Sequence, residues 1–157
     1  MPSHFERMLQ LADEFFHVKN DPEQLDVDES VIEELYVLHP ATVSEEADGD
    51  GPVCWILLIP SSMETMELFL KGDISEREIL NRSAEDRKFE TVYLCSALVL
   101  PEFRKKGIAE RLTLTAINEM RKDFKIHFLY TWPFSAEGKL LSKKLAMKTG
   151  IPLRIRE

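Results

Sequence analysis

The sequence has little of what defines several large protein classes. Its 157 residues include only two cysteines, Cys54 and Cys95, and the longest strictly apolar run is Val53–Ile59. A membrane-spanning helix needs about 20 apolar residues, so no transmembrane segment is predicted. The start, MPSHFERM, lacks an apolar signal segment, and both cysteines lie in apolar, strand-like runs. We therefore expect a cytoplasmic protein with two buried, reduced thiols.

Acidic and basic residues are unevenly distributed along the chain. Residues 1–100 hold 7 Lys and Arg against 22 Asp and Glu, a net charge of −15, whereas residues 101–157 hold 13 against 6, a net charge of +7. A basic segment attracts a nucleic acid or a small phosphorylated ligand. Because the acidic two thirds would repel a nucleic acid backbone and attract an amine, we expect the small ligand, and neither a nucleic acid nor a membrane as partner.

The first 88 residues are predicted to be rich in helix. Apolar residues at helical spacing and helix-start signals give four helices, at 4–18, 28–38, 62–71 and 76–82. Part of the second, Leu35–Leu38, can also be read as strand. Ser61 with Glu64, and Ser75 with Glu78, have the spacing of capping boxes, which begin the third and fourth helices.

One clear strand interrupts these helices. Val53–Ile59 is continuously apolar, which predicts a buried strand, and Pro60 is expected to end it. The polar residues 44–52 before it are predicted to form a loop. Asp48 and Asp50 are spaced like the start of a calcium loop, but the later ligands of such a loop are missing. We therefore expect a plain turn and no metal site.

Strands and helices alternate from residue 89 onward. The predicted elements are strands at Phe89–Leu100, Ile126–Trp132 and Ile151–Ile155, and helices at 107–121 and 136–148, the last capped by Gly150. The first of these strands is apolar on both faces, so it should lie in the centre of a sheet. This order predicts a single α/β or α+β domain over 1–157, with helices packed on the faces of the sheet.

The segment between the central strand and the next helix is the most informative. Gly107 and Ala109 put small residues in the first helical turn, so a ligand can approach its backbone closely. That turn has unpaired N–H groups and the positive end of the helix dipole, and Arg104–Lys106 add positive charge at its mouth. This favours a phosphate site, and the alternative is a solvated basic turn before a core helix. The motifs G-x-x-x-x-G-K-[ST] and G-x-G-x-x-G are missing.

The same segment resembles the pyrophosphate-binding motif of the GNAT acyltransferase superfamily. That motif reads Val-x-Pro, an aromatic residue, then [Arg/Gln]-x-x-Gly-x-[Gly/Ala]. The corresponding residues here are Val99, Pro101, Phe103, Arg104, Gly107 and Ala109. The resemblance covers roughly 89–157, and it implies a central mixed sheet with two splayed strands. Residues 1–88 would then form the acceptor side and 89–157 the CoA-binding half.

The resemblance also implies a cofactor and its contacts. The co-substrate would be acetyl-CoA or another acyl-CoA, and the acceptor an amine. The pantetheine arm would pair with the strand end Leu98, Val99 and Leu100. The pyrophosphate would bind the backbone N–H groups of Arg104, Lys105, Lys106, Gly107, Ile108 and Ala109.

This chain departs from the family at its catalytic positions. Ala146 stands where many members have a Tyr that hydrogen-bonds the CoA sulfur, and Tyr93 stands where some have a general-base Glu. Lys139 and Ser142 fall on the Asn and Ala positions of the last helix, and we expect Lys139 to contact the cofactor. Tyr93 and Ser142 are the catalytic candidates, although Tyr in a central strand is more often core and Ser in a helix often bonds its own backbone.

The sequence thus predicts an N-acyltransferase that moves an acetyl or other short acyl group from acyl-CoA to an amine. The alternative is a non-catalytic acyl-CoA-binding or interaction protein that retains the same fold. The sequence leaves open which amine is the acceptor and whether the chain forms a homodimer.

Overall fold

The computed structural model describes residues 3–19 and 28–157, with the backbone alone for 16–19. These residues form an α+β fold of six α-helices and five strands. The helices are α1 His4–Lys19, α2 Glu29–Leu38, α3 Met63–Leu70, α4 Glu76–Asp86, α5 Ile108–Arg121 and α6 Ala136–Thr149. The strands are β1 Val43–Asp48, β2 Gly51–Ser61, β3 Thr91–Val99, β4 Phe128–Thr131 and β5 Leu153–Ile155.

The strands form one mixed sheet in the order β1-β2-β3-β4-β5, with β3 in the centre as its apolar sequence predicts. The β1–β2 and β2–β3 pairs are antiparallel, and the β3–β4 and β4–β5 pairs are parallel. Pairing between β3 and β4 is short, because Thr91–Tyr93 face Phe128–Tyr130 while β3 continues to Val99. The two strands therefore diverge beyond Tyr93.

A bulge in β3 lies at the point of divergence. The register between β2 and β3 shifts by one residue between Leu57 and Leu58, and Cys95 is the additional residue on β3. A bulge bends its strand and increases the local twist. Since Cys95 follows closely after the last pair with β4, the bend accompanies the separation of the two strands.

Helices cover both faces of the sheet. On one face, α1, α5 and α6 pack over a buried cluster that includes Ile56, Leu58 and Leu129. On the other, α2, α3 and α4 pack over a cluster that includes Phe69 and Tyr130. Removing these apolar side chains from water is the main stabilising contribution to the fold. Among the described residues, none of the helices has the length and apolar character that a membrane crossing requires.

The helix predictions are confirmed in position, with changes at their ends. Leu35–Leu38 is helical, so the strand alternative is excluded. The capping box of Ser75 and Glu78 is present, and α4 runs on to Asp86. The box predicted at Ser61 is wrong, because Ser62 is the residue that accepts the N–H of Thr65.

Ser61 is used in the core instead. Its Oγ lies 2.7 Å from the hydroxyl of Tyr130 and 2.9 Å from that of Thr91, which joins β2, β3 and β4. Both cysteines are buried thiols that form no disulfide with each other, as expected.

Two predictions on either side of residue 50 are wrong. The predicted loop 44–52 contains β1, whose polar residues suit an edge strand exposed to water. Pro60 does not end β2, because it pairs with Val92 and the strand continues to Ser61. Past Leu57 the described strands flank β2 on one side only, so a residue without an N–H is tolerated there.

Candidate functional site

The end of β3 leads into a tight loop that precedes α5. Pro101–Phe103 form one turn of 3-10 helix, and the N–H of Phe103 donates to the carbonyl of Leu100 at 2.9 Å. Lys105 and Gly107 have left-handed backbone conformations, with φ of +63° and +77°. Glycine adopts this region freely, whereas a lysine there is uncommon. The loop therefore turns its backbone twice within three residues, directly before the helix.

These turns leave a row of N–H groups open. Among the described residues, the backbone N–H groups from Lys105 to Glu110 have no hydrogen-bond acceptor, and the first bond of α5 runs from Arg111 N to Gly107 O at 3.0 Å. A Cβ added at Gly107 would meet no atom within 4 Å, so the space in front of this backbone is open. With the positive end of the α5 dipole, the arrangement can bind an anion.

Basic side chains surround this backbone. Arg104, Lys105 and Lys106 are all exposed. The Nε of Arg104 donates to the carbonyl of Val99 at 3.0 Å, and the Nζ of Lys106 lies 5.4 Å from the centre of the Phe103 ring. These contacts hold two of the three positive charges beside the loop, where they favour a phosphate.

Helix α1 fixes the outer side of the loop. The two terminal nitrogens of Arg7 donate to the two carboxylate oxygens of Glu102, at 2.5 and 2.6 Å. The ring of His4 meets that of Phe103 edge-on, with centroids 5.6 Å apart. The hydrogen bonds from Arg7 lower the pKa of Glu102 to about 2. The pair therefore persists throughout the neutral and mildly acidic range.

A cavity of about 110 Å³ lies where β3 and β4 diverge. It is bounded by residues 94–97 of β3, residues 131–135 at and beyond the end of β4, Thr113 of α5, and Gly138, Leu141, Ser142 and Leu145 of α6, together with Phe15, Ile56 and Leu58. Ala97 is exposed although it belongs to the central strand. In the part of the chain that is described, no charged side chain lines the cavity.

Five of the residues that line the cavity carry hydroxyl groups, namely Ser96, Thr113, Thr131, Ser135 and Ser142. Thr113 and Ser142 each donate to the carbonyl four residues earlier, at 2.6 and 2.9 Å, and Thr131 donates to the carbonyl of Leu94 at 3.4 Å. Their protons are engaged within the protein, while their oxygen atoms can still accept hydrogen bonds. The cavity can therefore bind a neutral group, and the described residues that line it include no carboxylate or imidazole for proton transfer.

The structure brings some of the predicted residues together. Arg104–Ala109 and the strand end Leu98–Leu100 adjoin each other, and Ser142 lines the nearby cavity. The side chains of Leu98 and Leu100 are buried, and the N–H of Leu100 already donates to the carbonyl of Val53 at 3.0 Å. Lys139 is exposed on the first half of α6, and Ala146 is half-buried further along the same helix.

Tyr93 lies on the other face of the sheet, away from the cavity. Its side chain belongs to the cluster under α2, α3 and α4, and its hydroxyl donates to the Oε2 of Glu76 at 2.5 Å. Burial, and then the negative charge of Glu76, raise the pKa of Tyr93 well above its ordinary value. Tyr93 is not among the residues that line the cavity, so its position gives no support to the expected catalytic role.

Several residues of the site were not predicted from the sequence. Thr113 is a polar residue on the buried face of α5, and that placement was the available signal. Trp132 and Phe134 follow β4 and wall the cavity, with ring centroids 5.1 Å apart. Their role could not be read from the sequence, because it depends on how far β4 extends alongside β3.

One group of side chains could supply metal ligands. The ligand atoms of His4, Asp48 and Asp50 lie within 4.8 Å of one another at the surface. However, Oδ1 of Asp48 already accepts the N–H of Asp50 at 2.9 Å and lies 3.0 Å from the His4 ring nitrogen. These contacts join the turn between β1 and β2 to α1.

Known proteins give no family assignment for this chain, since no family model, no curated protein and no solved structure matches it. Its function must therefore be inferred from the geometry of the site and from the resemblance of residues 99–109 to the GNAT motif.

Proposed function

We propose that the protein binds an acyl-CoA and transfers its acyl group to an amine. The observation that carries the proposal is the arrangement at the end of β3. An open anion-binding backbone at Lys105–Glu110 adjoins an unpaired strand edge, and this edge leads to an uncharged cavity. Acyl-CoA has the same three parts in the same order: a pyrophosphate, an extended arm with two amides, and a neutral thioester.

Each part of the ligand meets a suitable surface. The pyrophosphate would accept hydrogen bonds from the N–H groups of the loop and of the first turn of α5. The arm would run back along β3 from Leu100 to Ala97, about 10 Å at the rise of a strand. Beyond Tyr93 this edge of β3 has no neighbouring strand among the described residues. The carbonyls of Leu94 and Val99 accept side-chain hydrogen bonds from Thr131 and Arg104, and the rest of this backbone can pair with the amides of the arm.

The chemistry of transfer places modest demands on side chains. The amine nitrogen attacks the thioester carbonyl, a C–N bond forms, the C–S bond breaks, and CoA leaves as a thiolate that takes up a proton. Because no carboxylate or imidazole among the described residues lines the cavity, we expect the amine to lose its proton to water. The rate should then rise with pH toward the pKa of the free amine, without a plateau near neutrality.

The second candidate is a non-catalytic acyl-CoA-binding protein. It is favoured by the same lack of a carboxylate or imidazole in the described lining of the cavity and by the burial of Tyr93. The two functions differ in one measurement, which is CoA release from bound acetyl-CoA in the presence of a broad set of amines. Release that rises with pH supports the enzyme, whereas tight binding without release supports the binding protein.

Two glycine substitutions test where the phosphates bind. Gly107 and Gly150 have nearly equal left-handed φ, +77° and +73°, and a Cβ at either position meets no atom within 4 Å. Gly107→Glu and Gly150→Glu therefore carry similar backbone strain and the same added charge. Only the first places a carboxylate at the proposed phosphate site.

We expect the parent and Gly150→Glu to be stabilised by about 2.7 kcal/mol at a CoA concentration of 100 times the dissociation constant, as measured by thermal or urea unfolding. Gly107→Glu should fold and show no such stabilisation. Equal CoA affinity in both variants would place the phosphates elsewhere, and no stabilisation of the parent by millimolar CoA would remove both candidate functions.

A further inference from the structure

We infer that the cavity receives the acyl chain, and that the protein prefers a neutral acyl group of about four carbons over acetyl and over a dicarboxylic acyl group. This inference rests on the proposed function, and it adds the class of acyl donor. The cavity, and not the loop that would hold the phosphates, carries it.

Burial gives the cavity a direction. Ala97, Phe134 and Ser135 are exposed and form its mouth, whereas Ile56 and Leu58 are each 1% exposed and form its inner end. An arm that runs from Leu100 along β3 reaches the mouth first. The thioester would therefore lie beside Ala97, and the acyl chain would point inward to the aliphatic side chains.

The residues that line the cavity determine which charge the acyl chain can carry. The inner part of the cavity is aliphatic and aromatic, and two of its hydroxyl groups, those of Thr113 and Ser142, already donate to backbone carbonyls. No Lys, Arg or His lines it within the described residues. Arg156 stacks on Trp132 at 4.0 Å and does not line the cavity. A carboxylate at the end of an acyl chain would thus lose its hydration without gaining a cation.

The volume of the cavity limits the length of the acyl chain. An apolar cavity of about 150 Å³ accommodates benzene, which has six carbon atoms. In proportion, the 110 Å³ here has room for roughly four carbon atoms. Acetyl would leave much of the space empty, and a long chain would not fit without rearrangement of α6 or β2.

The test compares the affinities of CoA and of its acetyl, propionyl, butyryl, octanoyl and succinyl thioesters for the full chain. Affinity should rise about fourfold for each added methylene up to butyryl, because each methylene that enters the cavity removes about the same apolar area from water. Octanoyl-CoA should bind no more tightly than butyryl-CoA. Succinyl-CoA has the same number of acyl carbons as butyryl-CoA, and it should bind at least about tenfold more weakly.

A variant with an enlarged cavity tests this limit on acyl chain length. Leu145→Ala enlarges the inner part of the cavity and should shift the preferred chain length upward. Met120→Ala removes a buried side chain of the same cluster outside the cavity, so it controls for lost stability and should leave the preference unchanged. Equal affinity for all acyl chains, with CoA still bound, would overturn the inference and leave the proposed function standing. Failure to bind CoA itself would overturn both.

Discussion

Tyr93 and Glu76 form a buried hydrogen bond between the central strand and the first turn of α4. Both side chains are about 1% exposed, and the Tyr93 ring also packs edge-on against Phe69, with centroids 5.0 Å apart. Because its pKa is raised, Tyr93 remains a neutral donor at any ordinary pH, and a neutral phenol is a poor base. At this position the residue joins α4 to the sheet.

Replacing Tyr93 by Phe should therefore affect stability and spare binding. The change leaves the buried Glu76 carboxylate without this donor, and we expect a loss of about 2 kcal/mol in the free energy of unfolding, measured with urea. CoA affinity and any turnover per folded molecule should be unchanged. A variant of normal stability with much reduced turnover would instead return Tyr93 to the proton path.

Tyr93 should also make the free energy of unfolding depend on pH in the alkaline range. Its pKa is higher in the folded than in the unfolded chain, so its contribution is fully present below the unfolded pKa, near 10, and is lost as pH rises above that value. The pKa of Tyr130 is shifted in the same direction by burial. The free energy of unfolding should fall above about pH 10, and less steeply in Tyr93→Phe than in the parent.

At the scale of elements, α1 and the loop before α5 are joined by the ion pair of Arg7 and Glu102. Because this lowers the folded pKa of Glu102 to about 2, the contribution of the pair is present above the unfolded pKa and is lost as pH falls through 2. The pair is exposed, so the effect is screened by salt.

Glu102→Gln should lower the midpoint of thermal unfolding slightly at pH 7, and the difference from the parent should vanish as pH falls from about 4.5 to 2. Glu119→Gln breaks an exposed pair with Lys122 that lies away from α1, and it serves as the control for the loss of one surface charge. A midpoint difference independent of pH for Glu102→Gln would show that the ion pair does not hold the two elements together.

Local signals in the sequence were sufficient to predict the positions of the helices. The capping box at Ser75, the left-handed cap at Gly150 and the apolar stripes all act within one or two turns, so they can be read without knowing the fold. The central position of β3 could be predicted from its apolar faces in the same way. The pattern on which the proposed phosphate site rests is also local, since it consists of residue types and their order at 99–109.

Features that the sequence could not supply depend on pairing between distant residues. β1 is the exception: its partner β2 follows after a turn of two residues, and it was missed because its polar residues at the sheet edge give no apolar strand pattern. The bulge at Cys95 and the short contact of β3 with β4 create the cavity, and both are properties of register. For Ser61, contacts to Tyr130 and Thr91 across the sheet prevailed over a local capping pattern.

At the scale of the whole molecule, the charge asymmetry of the sequence corresponds in part to a division of the fold, since α1 belongs to the acidic residues and yet packs on the same face as α5 and α6. The basic third begins at Pro101, so it contains the loop, α5 and α6, and these elements surround the proposed phosphate site. The acidic residues 1–100 supply the helices of the other face. An anionic cofactor on one side and a cationic amine on the other would each meet the opposite charge.

The central claim is the place where CoA binds, and an amide correlation spectrum recorded during titration with CoA tests it most directly. We predict that the largest shifts fall on the amides of Lys105–Glu110, with smaller shifts on Leu98–Leu100 and on residues that line the cavity. We also predict little change near Lys122–His127, a second basic surface at the opposite end of α5. Saturable shifts centred on that second surface, or none anywhere at millimolar CoA, would contradict the proposed binding site.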